Sequence, residues 1–246
     1  MKININNLFG DCNVVSSNGV TIINGRVVNG KGNKKSKAEE FDEKKVENAN
    51  KIEQMVIDSS IGDINVLPSE SSNVEVHFYG SAILDKDIDF DVKLVGSELR
   101  ITVKHSGNSS ASDLKLDIEV PVEKTFKLIS ANTMSGDIIL NEKVSAENFK
   151  IKTQSGDVES YAKLNNISIK TMNGDVELVI NAKNDIGLDI NTMNGDVRVE
   201  LNNISRLEKV STYTMIGNVR NNHKENNEGY TANINISAMN GNIRIS

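Results

Sequence analysis

A turn of one design recurs along this chain and constrains its fold more than anything else in it. Thr171-Met172-Asn173-Gly174-Asp175-Val176 returns as Thr192-Met193-Asn194-Gly195-Asp196-Val197, with looser copies at Thr133–Ile138, Thr153–Val158, Thr214–Val219 and Ala238–Ile243. Ser59-Ser60-Ile61-Gly62-Asp63-Ile64 is an earlier outlier. The glycines at 136, 156, 174, 195, 217 and 241 are separated by 20, 18, 21, 22 and 24 residues. A period near twenty with no helical spacing inside it predicts the rungs of a solenoid.

The residues around each turn alternate. Ile167, Ile169 and Thr171 share one face, Ser168, Lys170 and Met172 the other; after the turn Val176 and Leu178 point inward and Glu177 outward. Leu188, Ile190 and Thr192 lead to Val197, Val199 and Leu201 in the same way, and Ile234, Ile236 and Ala238 to Ile243 and Ile245. Period two on both sides of a turn means two half-buried strands. Gly fits a turn that needs positive φ or a close backbone approach, and Asn or Asp beside it can satisfy nearby backbone groups. Such a turn can join a hairpin or form the corner of a stacked rung. Whole columns match between copies, which favours stacking, with like side chains about 4.8 Å apart. The expected fold is all-β: a right-handed parallel β-solenoid with rungs of about 20 residues, its hand taken from the general rule for parallel connections. The turn residues are Gly62, Gly136, Gly156, Gly174, Gly195, Gly217 and Gly241, with Asp137, Asp157, Asp175 and Asp196.

These Gly-Asp turns resemble those of a bacterial candidate-adhesin domain family of unknown function, over roughly residues 52–246. The resemblance includes Ile61-Gly62-Asp63-Ile64 and the step Glu119-Val120-Pro121. It implies a β-helix-like fold and an interaction role. The last two turns depart from the pattern, with Asn218 and Asn242 in place of Asp.

Three segments are expected. Residues 1–30 hold short β-like runs with tight turns at Asn18-Gly19 and Asn24-Gly25, a meander suited to capping the first rung. Residues 31–51 are rich in Lys and Glu, with Phe41, Val46 and Ala49 as a weak apolar stripe, and read as a charged linker or short helix. Residues 52–246 form the repeat domain. Between Gly62 and Gly136 the alternation persists without the turn motif, so antiparallel excursions are expected, including a hairpin at Gly96-Ser97 and a flexible loop over 106–112. Residues 221–229 read as a polar loop between rungs, and the strand holding Ile243 and Ile245 as an exposed C-terminal edge.

Composition excludes several functions. A net charge of −6, with no basic stripe interleaved with aromatics, disfavours nucleic acid. Cys12 is the only cysteine, so an internal disulfide and a CxxC site are excluded; it reads as a small half-buried apolar residue. No run of about 18 apolar residues is present to span a membrane. The start, Met1-Lys2-Ile3-Asn4, lacks the apolar core of a signal peptide, so a cytoplasmic location is expected if Met1 is the native start. His77, His105 and His223 lie outside the repeat columns, and no phosphate-binding Gly loop occurs. No cofactor is implied. Zero Trp and 4 Tyr argue against a sugar-processing β-helix.

Three outward columns are the candidate surfaces. The Asp column could gather a cation, but one carboxylate per turn, giving way to Asn, fits turn capping better. Met134, Met172, Met193, Met215 and Met239 face outward by alternation, as an adaptable apolar strip, unless the strand bends and tucks them beneath the next turn. Glu159, Glu177, Arg198, Arg220 and Arg244 follow the turn, with Glu177 and Arg198 as cross-rung partners and three successive Arg able to meet an anionic polymer. The expected function is a non-catalytic, adhesin-like interaction or scaffold protein that presents a rigid face to a protein or envelope polymer. A self-assembling cytoplasmic filament through Ile245 at the C-terminal edge is the alternative, and a carbohydrate-active enzyme a more distant one.

Overall fold

The computed structural model describes residues 3–5, 14–17, 20–23, 26–30 and 39–246, apart from 85–87, 106, 108 and 227. Cys12 and the two Asn-Gly turns expected near the N-terminus lie outside the described residues. The chain divides into two units, Met1–Ala38 and Glu39–Ser246. In the first, strands β1 (Ile3–Ile5), β2 (Val14–Ser17), β3 (Val20–Ile23) and β4 (Arg26–Gly30) pair in that order as an antiparallel meander.

The second unit begins with β5 (Glu39–Asn48), a 3-10 turn at Ala49–Lys51, β6 (Gln54–Ser59) and β7 (Asp63–Ser69). Strands β8 (Asn73–Leu84), β9 (Asp89–Val95), β10 (Glu98–Lys104) and β11 (Ser109–Pro121) follow. Thereafter each Gly turn joins a long strand to a shorter one. The pairs are β12 (Thr125–Ser135) with β13 (Ile138–Leu140), β14 (Ser145–Ser155) with β15 (Val158–Ser160), and β16 (Lys163–Asn173) with β17 (Val176–Asn181). They continue with β18 (Ile186–Asn194) and β19 (Val197–Asn202), β20 (Ile204–Ile216) and β21 (Val219–Asn221), β22 (Tyr230–Asn240) and β23 (Ile243–Ile245). Among the described residues there is no α-helix.

The long strands build a nine-stranded sheet in the order β20-β22-β18-β16-β14-β12-β6-β10-β9, and the short ones a ten-stranded sheet in the order β21-β23-β19-β17-β15-β13-β7-β11-β8-β5. Successive rungs pair in parallel, with turn over turn and Thr over Thr: Thr133, Thr153, Thr171, Thr192 and Ala238 share one column. The inward faces of both sheets form one core, in which Ile129, Phe149, Ile167, Leu188 and Ile234 stack as a column. The expected alternation thus yields stacked parallel ladders, but both sheets are mixed, because β9 pairs antiparallel with β10, and β8 pairs antiparallel with β11 and β5.

Three sequence expectations need correction. The charged segment is neither linker nor helix over Glu39–Asn48: it is a strand paired along β8, from Glu39 opposite Ala82 to Asn48 opposite Asn73. Phe41 packs on Phe78 at 5.6 Å between ring centroids, and Phe78 on Phe90 at 5.3 Å, so three aromatics close this end of the core. Charge is tolerated there because β5 is an edge, where charged side chains deter further pairing. Part of the loop expected at 106–112 is strand, since β11 begins at Ser109.

The third correction concerns the C-terminal edge. Strand β23 is flanked on both sides, by β19 and β21, and Ile245 is 0% exposed. The chain leaps outward after β19, through Asn203 with φ of 63°, lays down β20 and β21 as the outermost rung, and returns to fill the gap with β22 and β23. Asn203 is the one non-Gly residue with positive φ among those described, a conformation Asn tolerates better than most. The opposite end is also built out of order: β10 and β11 pair outside β6 and β7, and β12 and β13 on their inner side.

Candidate functional site

The corner made by the repeated turns is the most ordered surface feature. Gly174 has φ of +153°, and a Cβ on it would lie 2.1 Å from the carbonyl oxygen of Gly156 in the rung before. The glycine column therefore serves backbone conformation and close stacking together. The turn acids form a hydrogen-bonded ladder. The amide of Asp157 donates to Oδ1 of Asp137 at 2.8 Å, Asp175 to Asp157 at 2.8 Å, and Asp196 to Asp175 at 2.7 Å. Asn242 continues it by donating to Asp196 at 2.7 Å, and Asn218 by donating to Oδ1 of Asn242 at 3.1 Å. Each step needs an acceptor oxygen and not a charge, which accounts for Asn at the last two turns. No group of three or more metal-ligating His, Cys, Asp or Glu occurs among the described residues.

The methionines are not tucked under the turns. Met193 is 40% exposed and Met215 62%, with Met172, Met239 and Met134 between them. Register sets the row in the spatial order Met134, Gln154, Met172, Met193, Met239, Met215. Four adjacent thioethers thus make an apolar strip beside the turn corner, broken from Met134 by Gln154. A groove of about 1050 Å³ crosses the same sheet further along its strands, lined by Asn148, Asn166, Asn233, Lys150, Lys209 and Asp189 among others. Its aromatic neighbour, Phe149, is 1% exposed, so it offers a sugar ring no stacking face.

On the ten-stranded sheet the outward column after the turn reads Glu159, Glu177, Arg198, Arg244, Arg220 in space, because of the inserted rung. Arg198 donates to Glu177 at 3.0 Å, the cross-rung pair expected from the sequence. A cavity of about 290 Å³ lies over Asp196, Arg198, Asn218, Arg220, Asn242 and Arg244. The sequence order puts Arg220 between Arg198 and Arg244; the structure puts Arg244 between Arg198 and Arg220. The signal for this exchange of order was weak: the Gly217–Gly241 spacing is only slightly longer than the others.

The open end of the stack is β20 and β21. Their inward positions, Leu207, Val210 and Val219, are only partly covered or exposed, and Tyr213 and Ile216 stand out at 60% and 67% exposed. Ile245, expected at an edge, belongs to the core. Of the histidines, His77 lies near Asp42 at 2.8 Å and stacks on Tyr79. The Tyr79 hydroxyl donates to Asp117 at 2.9 Å, and burial, with this carboxylate, raises the phenol above its ordinary value of 10.0. No helix among the described residues is long and apolar enough to cross a membrane.

The sequence profile of the Toastrack DUF4097 family matches residues 52–246. No curated protein matches the chain. Among solved structures, a candidate cell adhesion protein from Clostridium sporogenes ATCC 15579 is 15% identical with a TM-score of 0.47, over 84% of this chain and 99% of its own. A candidate adhesin from Bacteroides fragilis NCTC 9343 is 14% identical with a TM-score of 0.39, over 84% and 97%. A candidate lipid-binding protein from Parabacteroides distasonis ATCC 8503 is 15% identical with a TM-score of 0.38, over 88% and 98%.

Proposed function

We propose that this chain, which belongs to the Toastrack DUF4097 family, is a non-catalytic, adhesin-like recognition scaffold whose rungs wind as a right-handed parallel β-solenoid. The observation that carries the reading is the set of outward columns held in register, above all the exposed methionine row. Turn ladders fix the spacing of these side chains, so a partner meets a preformed strip and little ordering is required on binding. Thioethers adapt to irregular apolar surfaces, which suits an extended protein or envelope polymer. The test is co-sedimentation of the full chain with bacterial cell-envelope fragments, before and after protease treatment. Wild type should bind saturably, and Met172→Ser/Met193→Ser/Met239→Ser should bind at least about tenfold more weakly. Equal binding by that variant would sink the reading. The protease arm separates a protein partner from a polymer.

Assembly through an edge is a second reading, favoured by β20. Its segment Val210-Ser211-Thr212-Tyr213-Thr214-Met215-Ile216 carries no charge and no Pro and lies on an unpaired edge, a template for strand addition. The opposite edges carry Asp89, Asp91 and Lys93 on β9 and Glu43, Lys44 and Lys45 on β5. Two open ends meeting would therefore close as a dimer, whereas a filament would have to join an open end to a charged one. Light scattering over a concentration series decides: mass that plateaus at two chains fits edge pairing, continuous growth fits a filament, and a monomer throughout excludes both.

A further inference from the structure

The charge of the turn corner reverses along the stack. Two outward columns flank it: the turn acid or amide, and the residue two positions later. Read by rung in space they are Asp63 and Asn65, Asp137 and Ile139, Asp157 and Glu159, Asp175 and Glu177, Asp196 and Arg198, Asn242 and Arg244, Asn218 and Arg220. Their formal charges run −1, −1, −2, −2, 0, +1 and +1. On a chain of net charge −6 this end is a local positive exception. It is also where the chain is threaded back so that Arg244 enters between Arg198 and Arg220.

The groups at this end are arranged toward an anion. Arg198 already holds Glu177 at 3.0 Å. Arg244 and Arg220 have no carboxylate within ion-pair distance among the described residues, and both are exposed. The carboxylate of Asp196 is occupied, accepting the Asn242 amide at 2.7 Å and its side-chain NH₂ at 3.2 and 3.3 Å. That contact turns Asn242 Oδ1 toward the amide of Asn218, and the Asn218 side chain makes no hydrogen bond within the described protein. Arginines on neighbouring strands, whose backbones lie about 4.8 Å apart, bring like charges together, and an oxyanion between them offsets the repulsion. Each internal phosphate of a chain carries a charge and two non-bridging oxygens, enough to take one guanidinium fork, so successive phosphates can take successive arginines. No aromatic side chain lines the cavity, so it has no platform for nucleic-acid bases.

We infer that the cleft of Arg198, Arg244 and Arg220, with Asn218 and Asn242 at its wall, binds successive phosphate groups of a phosphate-bearing polymer. This rests on the reading of the chain as a recognition scaffold and names one polymer chemistry for it. The ladder runs along the stack, so a flexible polyanion would lie across the rungs and reach the open end at Arg220.

Inorganic polyphosphate, labelled at one end, is the probe, with anisotropy read on the full chain at about 50 and 200 mM salt. Wild type should bind at low salt and weaken roughly tenfold to twentyfold at high salt, as expected for two or three neutralised phosphates. Arg220→Gln and Arg244→Gln should each weaken binding about tenfold. Glu177→Gln should tighten it a few fold, because it releases Arg198 to the ligand. That gain is expected of this ladder and not of diffuse surface charge. No binding by wild type at low salt overturns the inference. So does unchanged binding by the Arg variants, equal affinity for poly-L-glutamate, or loss that follows Lys143→Gln/Lys163→Gln/Lys183→Gln at the opposite corner instead. Release of inorganic phosphate from the bound chain would overturn the non-catalytic reading alone and leave the site standing.

Discussion

Replacing one repeat glycine and one ordinary glycine by alanine separates two reasons for glycine in this fold. Gly96 sits in the β9–β10 hairpin with φ of +64°, and a Cβ there meets nothing within 4 Å. Gly96→Ala should cost only the left-handed backbone penalty, about 1 kcal/mol. Gly174 has φ of +153° and would place its Cβ 2.1 Å from the Gly156 carbonyl oxygen. Backbone strain in that region is of order 1–3 kcal/mol. Relieving the clash also means drawing two rungs apart, which weakens the bonds of the Gly156 amide to the Asn173 carbonyl at 3.0 Å and of the Asp175 amide to Asp157 at 2.8 Å. At about 1 kcal/mol for each bond lost, Gly174→Ala should cost roughly 3–5 kcal/mol in all. Urea unfolding followed by far-UV circular dichroism gives both values. Failure of the Gly174 variant to fold, beside a folded Gly96 variant, agrees with the reasoning. Equal loss at the two sites would refute it, because close stacking of rungs would then add nothing to the need for glycine.

If acceptor oxygens and not charges hold the turn ladder, Asp157→Asn should leave stability within about 0.5 kcal/mol, while Asp157→Ala should lose about 1 kcal/mol; chemical denaturation of the pair tests this. For the same reason added calcium should leave the melting temperature of the wild type unchanged in differential scanning calorimetry. Ile245→Lys should not act as an edge mutation: it places an ammonium in a position that is 0% exposed and should lower stability by roughly 3–5 kcal/mol or prevent folding, visible as a lost unfolding transition. Tyr79 has its phenol pKa raised by burial and by Asp117. The folded state keeps that proton longer than the unfolded chain, so its contribution is complete below about pH 10 and is lost as pH rises through the folded value. Tyr79→Phe should therefore lose stability less steeply than wild type above about pH 10, in urea midpoints measured on either side of that pH.

Much of the middle of the molecule was legible because period-two alternation and a Gly-Asp corner leave a chain few options. Thr171 and Ile190 face inward and Met172 and Glu177 outward as their positions in the pattern require. The pairing of Glu177 with Arg198 followed from adjacency in sequence, since those rungs are also adjacent in space. What could not be read was the order of the rungs at the ends. A column match says that two rungs are stackable and not which one lies next to which. Val219 and Ile243 satisfy the same inward position, so either could have followed Val197. The decision rests on the connection at Asn203, whose positive φ carries no strong sequence mark, and on a polar loop long enough to return. Strand β5 was missed for a different reason. Its alternating charges read as solvated, and only the partner strand β8 and the ring of Phe78 make it an edge.

The inserted rung has a consequence for how the open end behaves. The rung beside it places Ile236 and Ile245 at two inward positions; the outermost rung places Thr212 and Asn221 there. The last inward layer is thus part polar, as a repeat array needs where stacking stops. Yet β20 and β21 retain the turn residues Gly217 and Asn218 and the inward Val210 and Val219, so they could also stack directly on β18 and β19. Deleting residues 230–246 should therefore remove one rung and not the fold: β20 and β21 should shift inward by one place, and stability should fall by the interface of a single rung. Hydrogen exchange on the shortened chain tests this. Amides of β18 and β19, now bonded to β22 and β23, should stay protected if the outer rung takes their place. If protection is lost back to β16, the final rung is a keystone and the rungs are not interchangeable.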